Sequence, residues 1–187
     1  MSDRELSPKD RQALLTIARQ SIETCLKEGR ELELAVDAEN LMARQGAFVT
    51  LKNHGELRGC IGRIESDIPL YQVVSEMAAA AAAEDSRFLP VEAEELKDIE
   101  IEISVLSPLK KITDAGEIKL GEHGVLVRKG LRSGVFLPQV AEETGWNLEE
   151  FMNNLCVRKA GLSPDCWKTG AADIYVFTAE VFGNGKE

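Results

Sequence analysis

Six consecutive residues, Leu57-Arg58-Gly59-Cys60-Ile61-Gly62, set a thiol between two glycines and two residues from a permanent cation. A thiol attacks carbon or sulfur as thiolate, and a guanidinium beside it favours that form. On a strand, alternation puts Arg58 and Cys60 on one face, about 7 Å apart along the chain, and turns Leu57 and Ile61 toward a core. Gly59 and Gly62 would let a ligand approach the backbone, whose free N–H groups bind an oxyanion or phosphate. The competing account makes Cys60 a small buried hydrophobe and the glycines the marks of a bulge or of tight packing.

Two further positions belong with this segment. His123 is the candidate imidazole for a Cys60–His123 nucleophile and base, because His54 falls on an expected hairpin tip in solvent. A histidine before a glycine is more often a turn residue. Arg87 follows an alanine-rich stretch, where it can pair with Asp85 at a helix end or join Arg58 in a clamp for a small anionic ligand, a carboxylate or phosphate.

Composition narrows the classes. The 187 residues carry a net charge of −10, which repels a phosphate backbone. The basic clusters Lys110-Lys111, Arg128-Lys129-Arg132 and Arg158-Lys159 lack interleaved stacking aromatics, so nucleic acid is not expected as a partner. Cysteines at 25, 60, 156 and 166 form no C-x-x-C pair, and nothing in the motifs calls for a metal or cofactor. The longest apolar run, residues 77–83, is too short to span a bilayer, and the charged N-terminus does not read as a signal peptide. The expectation is a cytoplasmic protein with reduced thiols, including Cys156 and Cys166, which lie ten apart across a helix end.

The elements that must hold these residues follow from capping and periodicity. Ser7-Pro8-Lys9-Asp10 opens a helix whose apolar positions Leu14, Ala18, Ile22 and Cys25 continue to Gly29. Residues 47–51 and 57–61 read as a hairpin around 52–56, and residues 67–83 as a helix started by Asp67 and Pro69. Residues 99–105 alternate as a half-buried strand. Two short strands near 125–127 and 135–137 flank a basic loop, Gln139 to Thr144 begins helical, and Asn147 with Glu150 caps a further helix through Phe151, Leu155 and Cys156. Residues 173–182 read as one last, central strand, and 183–187 as a frayed tail. Trp146 and Trp167 are expected to pack beside helix ends. Strands and helices mix without strict alternation, which predicts an α+β fold.

The hexapeptide, together with Asp85-Ser86-Arg87-Phe88, Glu122-His123-Gly124-Val125 and Phe136-Leu137-Pro138-Gln139-Val140-Ala141, resembles the AMMECR family, also met as protein A of the AmmeMemoRadiSam system. The resemblance implies one AMMECR-type domain over residues 1–187, with a larger sheet-and-helix part, a smaller subdomain and a cleft between them. It also implies Memo-type and radical-SAM proteins as partners in one pathway. The chain has no C-x-x-x-C-x-x-C cluster motif, so radical chemistry would belong to a partner. Two functions stand against each other. One is a cysteine-dependent enzyme using Cys60, Arg58 and His123 on a small acidic or carbonyl-bearing substrate; the other is a noncatalytic ligand-binding or protein-interaction module.

Overall fold

The computed structural model describes residues 6–36 and 38–185, which form two compact units, one of the described residues up to Leu106 with those from Glu180 on, the other Ser107–Ala179. In the first unit Ser7 caps α1 (Pro8–Glu28) through a capping box with Asp10, and Gly29 closes the helix at φ 64°. The hairpin of β1 (Ala47–Asn53) and β2 (Glu56–Arg63) turns on His54 and Gly55, both at positive φ, 51° and 82°. That turn matches the right-handed twist of the strands and leaves His54 in solvent. Pro69 precedes α2 (Leu70–Ala83), so Asp67 lies outside the helix. With β3 (Ile99–Leu106) and β8 (Ala179–Gly183), the strands make one sheet in the order β2-β1-β3-β8.

The second unit contains β4 (Lys110–Ile112), β5 (Gly124–Lys129), β6 (Arg132–Phe136), α3 (Gln139–Thr144), α4 (Leu148–Asn154) and β7 (Asp173–Phe177). Its sheet runs β4-β7-β5-β6, with every assigned pairing antiparallel. Two sheets with separate helices give the α+β class that the sequence pattern predicts. Val125, Val127, Phe136, Phe151, Leu155 and Val176 form its core, and Trp146 packs against Phe136 at 6.1 Å between ring centroids.

Several expectations change. The basic segment 128–134 is mostly strand, because β5 and β6 pair down to Lys129 opposite Arg132 and leave Gly130-Leu131 as the turn. The last strand is two: β7 pairs with β4 and β5, whereas β8 joins the first unit's sheet. At the break, Ser107 N donates to Thr178 O at 2.9 Å and Thr178 N donates to Ser107 Oγ at 2.9 Å. Ordered chain also runs past 183: Gly183 ends β8, and Asn184 exchanges bonds with the Ile101 backbone, while 186–187 lie outside the described residues. Finally, Cys156 and Cys166 are joined in a buried disulfide, because the turns after α4 bring their Cα atoms to 6.6 Å.

In the first unit, Val49, Leu51, Ile101 and Ile103 point from the sheet into a core completed by Leu14, Ala18 and Ile22 of α1 and Val73 and Val74 of α2. Thr50, paired with Cys60 on one side and Glu102 on the other, belongs to the opposite face. Alternation fails at one place. Leu51 stands opposite Gly59 but Lys52 opposite Leu57, so Arg58 is the extra residue of a bulge. Leu57 is therefore turned out, 43% exposed, rather than into the core, whereas Ile61 packs against it.

Both glycines of the hexapeptide sit where a side chain would collide. A Cβ on Gly59 would land on the carbonyl oxygen of Ala81, so the alanine-rich end of α2 lies directly on β2. A Cβ on Gly62 would enter the Phe48 ring. The obstacle at Gly59 is helix backbone, which cannot swing aside as a side chain can. Gly59→Ala is expected to cost roughly 2 kcal/mol or more by forcing α2 off the sheet, lowering the urea midpoint. An unchanged midpoint would mean that the helix is free to shift.

Candidate functional site

Because β2 is an edge strand, its outward backbone groups need partners from outside the sheet. At Cys60 two side chains supply them. The Cys60 N–H donates to Asp85 Oδ2 at 2.8 Å, and Arg87 Nη2 donates to the Cys60 carbonyl at 3.3 Å. Asp85 also accepts from Arg87 Nε at 2.9 Å, Nη2 at 2.7 Å and the Arg87 backbone at 3.2 Å. An acceptor and a donor thus meet Cys60 where a neighbouring strand would have presented its own. The Asp85 side chain is only 5% exposed. The Arg87 guanidinium, helped by the Cys60 and Arg87 N–H groups and opposed by burial, holds its carboxyl far below the usual carboxylate range.

Arg58 is committed in the same way, two residues earlier. Its Nε and Nη2 grip the Glu95 carboxylate in a two-point contact at 2.8 and 2.9 Å. Nη1 donates to the Leu89 carbonyl at 2.8 Å and Nη2 to the Pro90 carbonyl at 3.1 Å. Glu95 accepts in addition from the Glu92 backbone at 2.8 Å and from Asn53 Nδ2 at 3.3 Å. The Arg58 bond, then the Glu92 N–H, bring the Glu95 pKa down to about 2 against the cost of burial. The segment following α2 is thereby tied to β2 at both ends. Between the ties, Leu89 projects with 84% of its surface exposed. Phe88 lies beneath the Arg87 guanidinium, 5.5 Å from ring centroid to cation.

The thiol is half-buried on the face of Thr50, whose hydroxyl donates to Cys60 Sγ at 3.3 Å. Arg58 and Arg87 thus flank Cys60 while donating hydrogen bonds to carboxylates and carbonyls of the protein. His123 belongs to the second unit, where Nδ1 accepts from the Lys119 N–H at 3.3 Å and Nε2 lies 3.9 Å from Glu122 Oε1. Gly59 and Gly62 have the places a Cβ would take filled by Ala81 and Phe48. Glu95 and Leu89 escape sequence reasoning. Glu95 lies in an acid-rich stretch 37 positions from Arg58, and its one local signal is the spacing of a capping box with Glu92. Among the described residues no cluster of His, Cys, Asp and Glu converges to hold a metal ion, and no helix is long and apolar enough to cross a membrane.

Fold and site define a two-unit α+β protein whose sequence motifs around Cys60 and Arg87 form one hydrogen-bonded network. The AMMECR1 family profile matches residues 15–182, and the chain belongs to that family. A protein of Methanopyrus kandleri is 41% identical over 187 residues, covering 95% of this chain and 90% of its own. One from Methanothermobacter thermautotrophicus is 42% identical over 184 residues, covering 95% of each. The crystal structure of an uncharacterized protein from Pyrococcus horikoshii superimposes with a TM-score of 0.85 at 40% identity, covering 92% of this chain and 90% of that one.

The Arg58–Glu95 pair makes stability depend on acid. Glu95 has its folded pKa depressed from 4.5 to about 2, so its contribution is complete above 4.5 and is lost as pH falls from there through 2. The two side chains keep 17% and 25% of their surface exposed, and solvent screening reduces the contribution to about 1–2 kcal/mol. Glu95→Gln should lower the urea midpoint at pH 7 and converge with the parent protein as pH falls through 2. Parallel pH profiles of the two would show that the pair contributes nothing.

Proposed function

We propose that this chain is a noncatalytic protein-interaction module whose docking element is the loop Phe88-Leu89-Pro90. The observation that carries this is the grip of Arg58 on the Leu89 and Pro90 carbonyls while the Leu89 side chain is left 84% exposed. An apolar side chain on a restrained backbone costs little ordering entropy on binding, as an interface anchor requires. Leu57, turned out by the bulge beside Arg58, adds a second apolar contact in the same part of the unit. The resemblance noted above supports Memo-type and radical-SAM proteins as the partners to try first. Calorimetric titration with these purified proteins from the same organism is the test. Leu89→Ala should weaken association at least about 10-fold with no loss of thermal stability, and Cys60→Ser should leave it unchanged. Equal affinity of Leu89→Ala and parent protein for a bound partner would refute the docking loop.

A second reading makes Cys60 the reactive group of an enzyme acting on a small acidic or carbonyl-bearing substrate. It is favoured by the Thr50 hydroxyl bonded to Sγ and by the Arg87 charge beside it. An anionic substrate would take the outer N–H groups of Arg87. Cys25 serves as the internal reference, since burial, and then Glu84, push its thiol pKa up. On this reading iodoacetamide at neutral pH labels Cys60 several-fold faster than Cys25, and Cys60→Ser ends turnover. Labelling of Cys60 no faster than of Cys25 counts against an activated thiol.

A further inference from the structure

Charge is divided unevenly along the sequence. Residues 107–179 hold nine Lys and Arg against nine Asp and Glu, so the whole net charge of −10 falls on the rest, with 13 cations and 23 anions. The docking loop lies in that acidic remainder. Glu56 is exposed beside Leu57, and Glu84, Glu92 and Glu94 are exposed within five residues of Leu89. Nearby cations each have an acidic neighbour, although Arg87 and Lys97 stay exposed. Arg58 is held by Glu95, Arg87 by Asp85, and Lys97 stands 4.0 Å from Asp98. An apolar anchor therefore projects from an acidic rim.

Resting on the docking reading above, we infer that the partner is a protein presenting an apolar pocket within a basic surface, its Lys and Arg side chains facing Glu56, Glu84, Glu92 and Glu94. The anchor supplies affinity by leaving water, and the opposed charges supply orientation and speed of encounter. A second copy of this chain is a poor occupant, since it would bring the same acidic rim against this one.

A photo-crosslinking residue placed at Leu89 of the full chain, with Lys97 as the control position, tests both layers. After irradiation in cells of the source organism, the joined peptide is sequenced, and the protein it comes from is purified and titrated against this chain at low and physiological salt. The expected result is a Lys- and Arg-rich segment trapped from position 89 and not from 97. Its affinity should fall at least about 10-fold with Leu89→Ala and fall again as salt rises. Glu56→Lys with Glu94→Lys should slow association about 5-fold or more and flatten the salt dependence, while leaving the melting temperature unchanged. If the trapped protein binds through Leu89 but is acidic at the contact, or indifferent to salt and to the charge reversals, the basic partner is wrong and the docking loop stands. No crosslink specific to position 89, or binding unaffected by Leu89→Ala, overturns both.

Discussion

Arg58 couples two parts of the first unit through the fixed geometry of one guanidinium. The group has five N–H donors in a plane, and four bonds go to the Glu95 carboxylate and the carbonyls of Leu89 and Pro90. Those carbonyls belong to irregular chain, where no ladder offers partners. Arg58 reaches them because a bulge lifts it out of the alternation of β2. Gly59, the next residue, lets α2 lie on the strand, so the chain leaving α2 starts beside the edge of the sheet that Arg58 serves. Bulge, glycine and arginine form a single device, and losing one member leaves the others with desolvated groups unmet.

The Asp85–Arg87 pair does for the Cys60 backbone what Arg58 does for the loop. One consequence concerns aggregation. An edge strand whose outward N–H and C=O are already taken by a carboxylate and a guanidinium gives little template to another chain at that point. Of the residues that look catalytic when met in a row, the two cations and the acid all bond to groups of the protein, and the aliphatic Leu89 stands out beside them.

Much of the fold was legible because its signals are local. Ser7, Pro8 and Asp10 start α1, Asn147 and Glu150 start α4, and the alternation of residues 99–105 marks β3, each within a few positions of chain. The bulge was not legible, because register is a property of two strands and Leu57 carries no mark of which way it faces. Nor was the division of residues 173–182, where apolar stretches on either side of Thr178 and Glu180 serve two different sheets. The Cys156–Cys166 bond depended on how the turns after α4 fold back, which spacing alone left open. At the site, Asp85 and Arg87 could be paired by proximity in sequence, whereas Glu95 could not be singled out among Glu92, Glu94 and Glu95.

The splitting of that last strand bears on the order in which the molecule can be made. The second unit is continuous from Ser107 to Ala179, with Ser107 and Thr178 bonded at its root, and can close on itself as soon as it has emerged from the ribosome. The first unit cannot finish so early. Its strand β8 supplies Glu180, which holds Arg11 of α1 at 2.7 Å, and is followed by Asn184, which pairs with Ile101. Until those final residues arrive, β3 stays an unprotected edge and the N-terminal helix lacks its last tie. Translation thus completes the part begun first only after the part begun second, and a chain cut short before β8 would carry a finished insert within an open host.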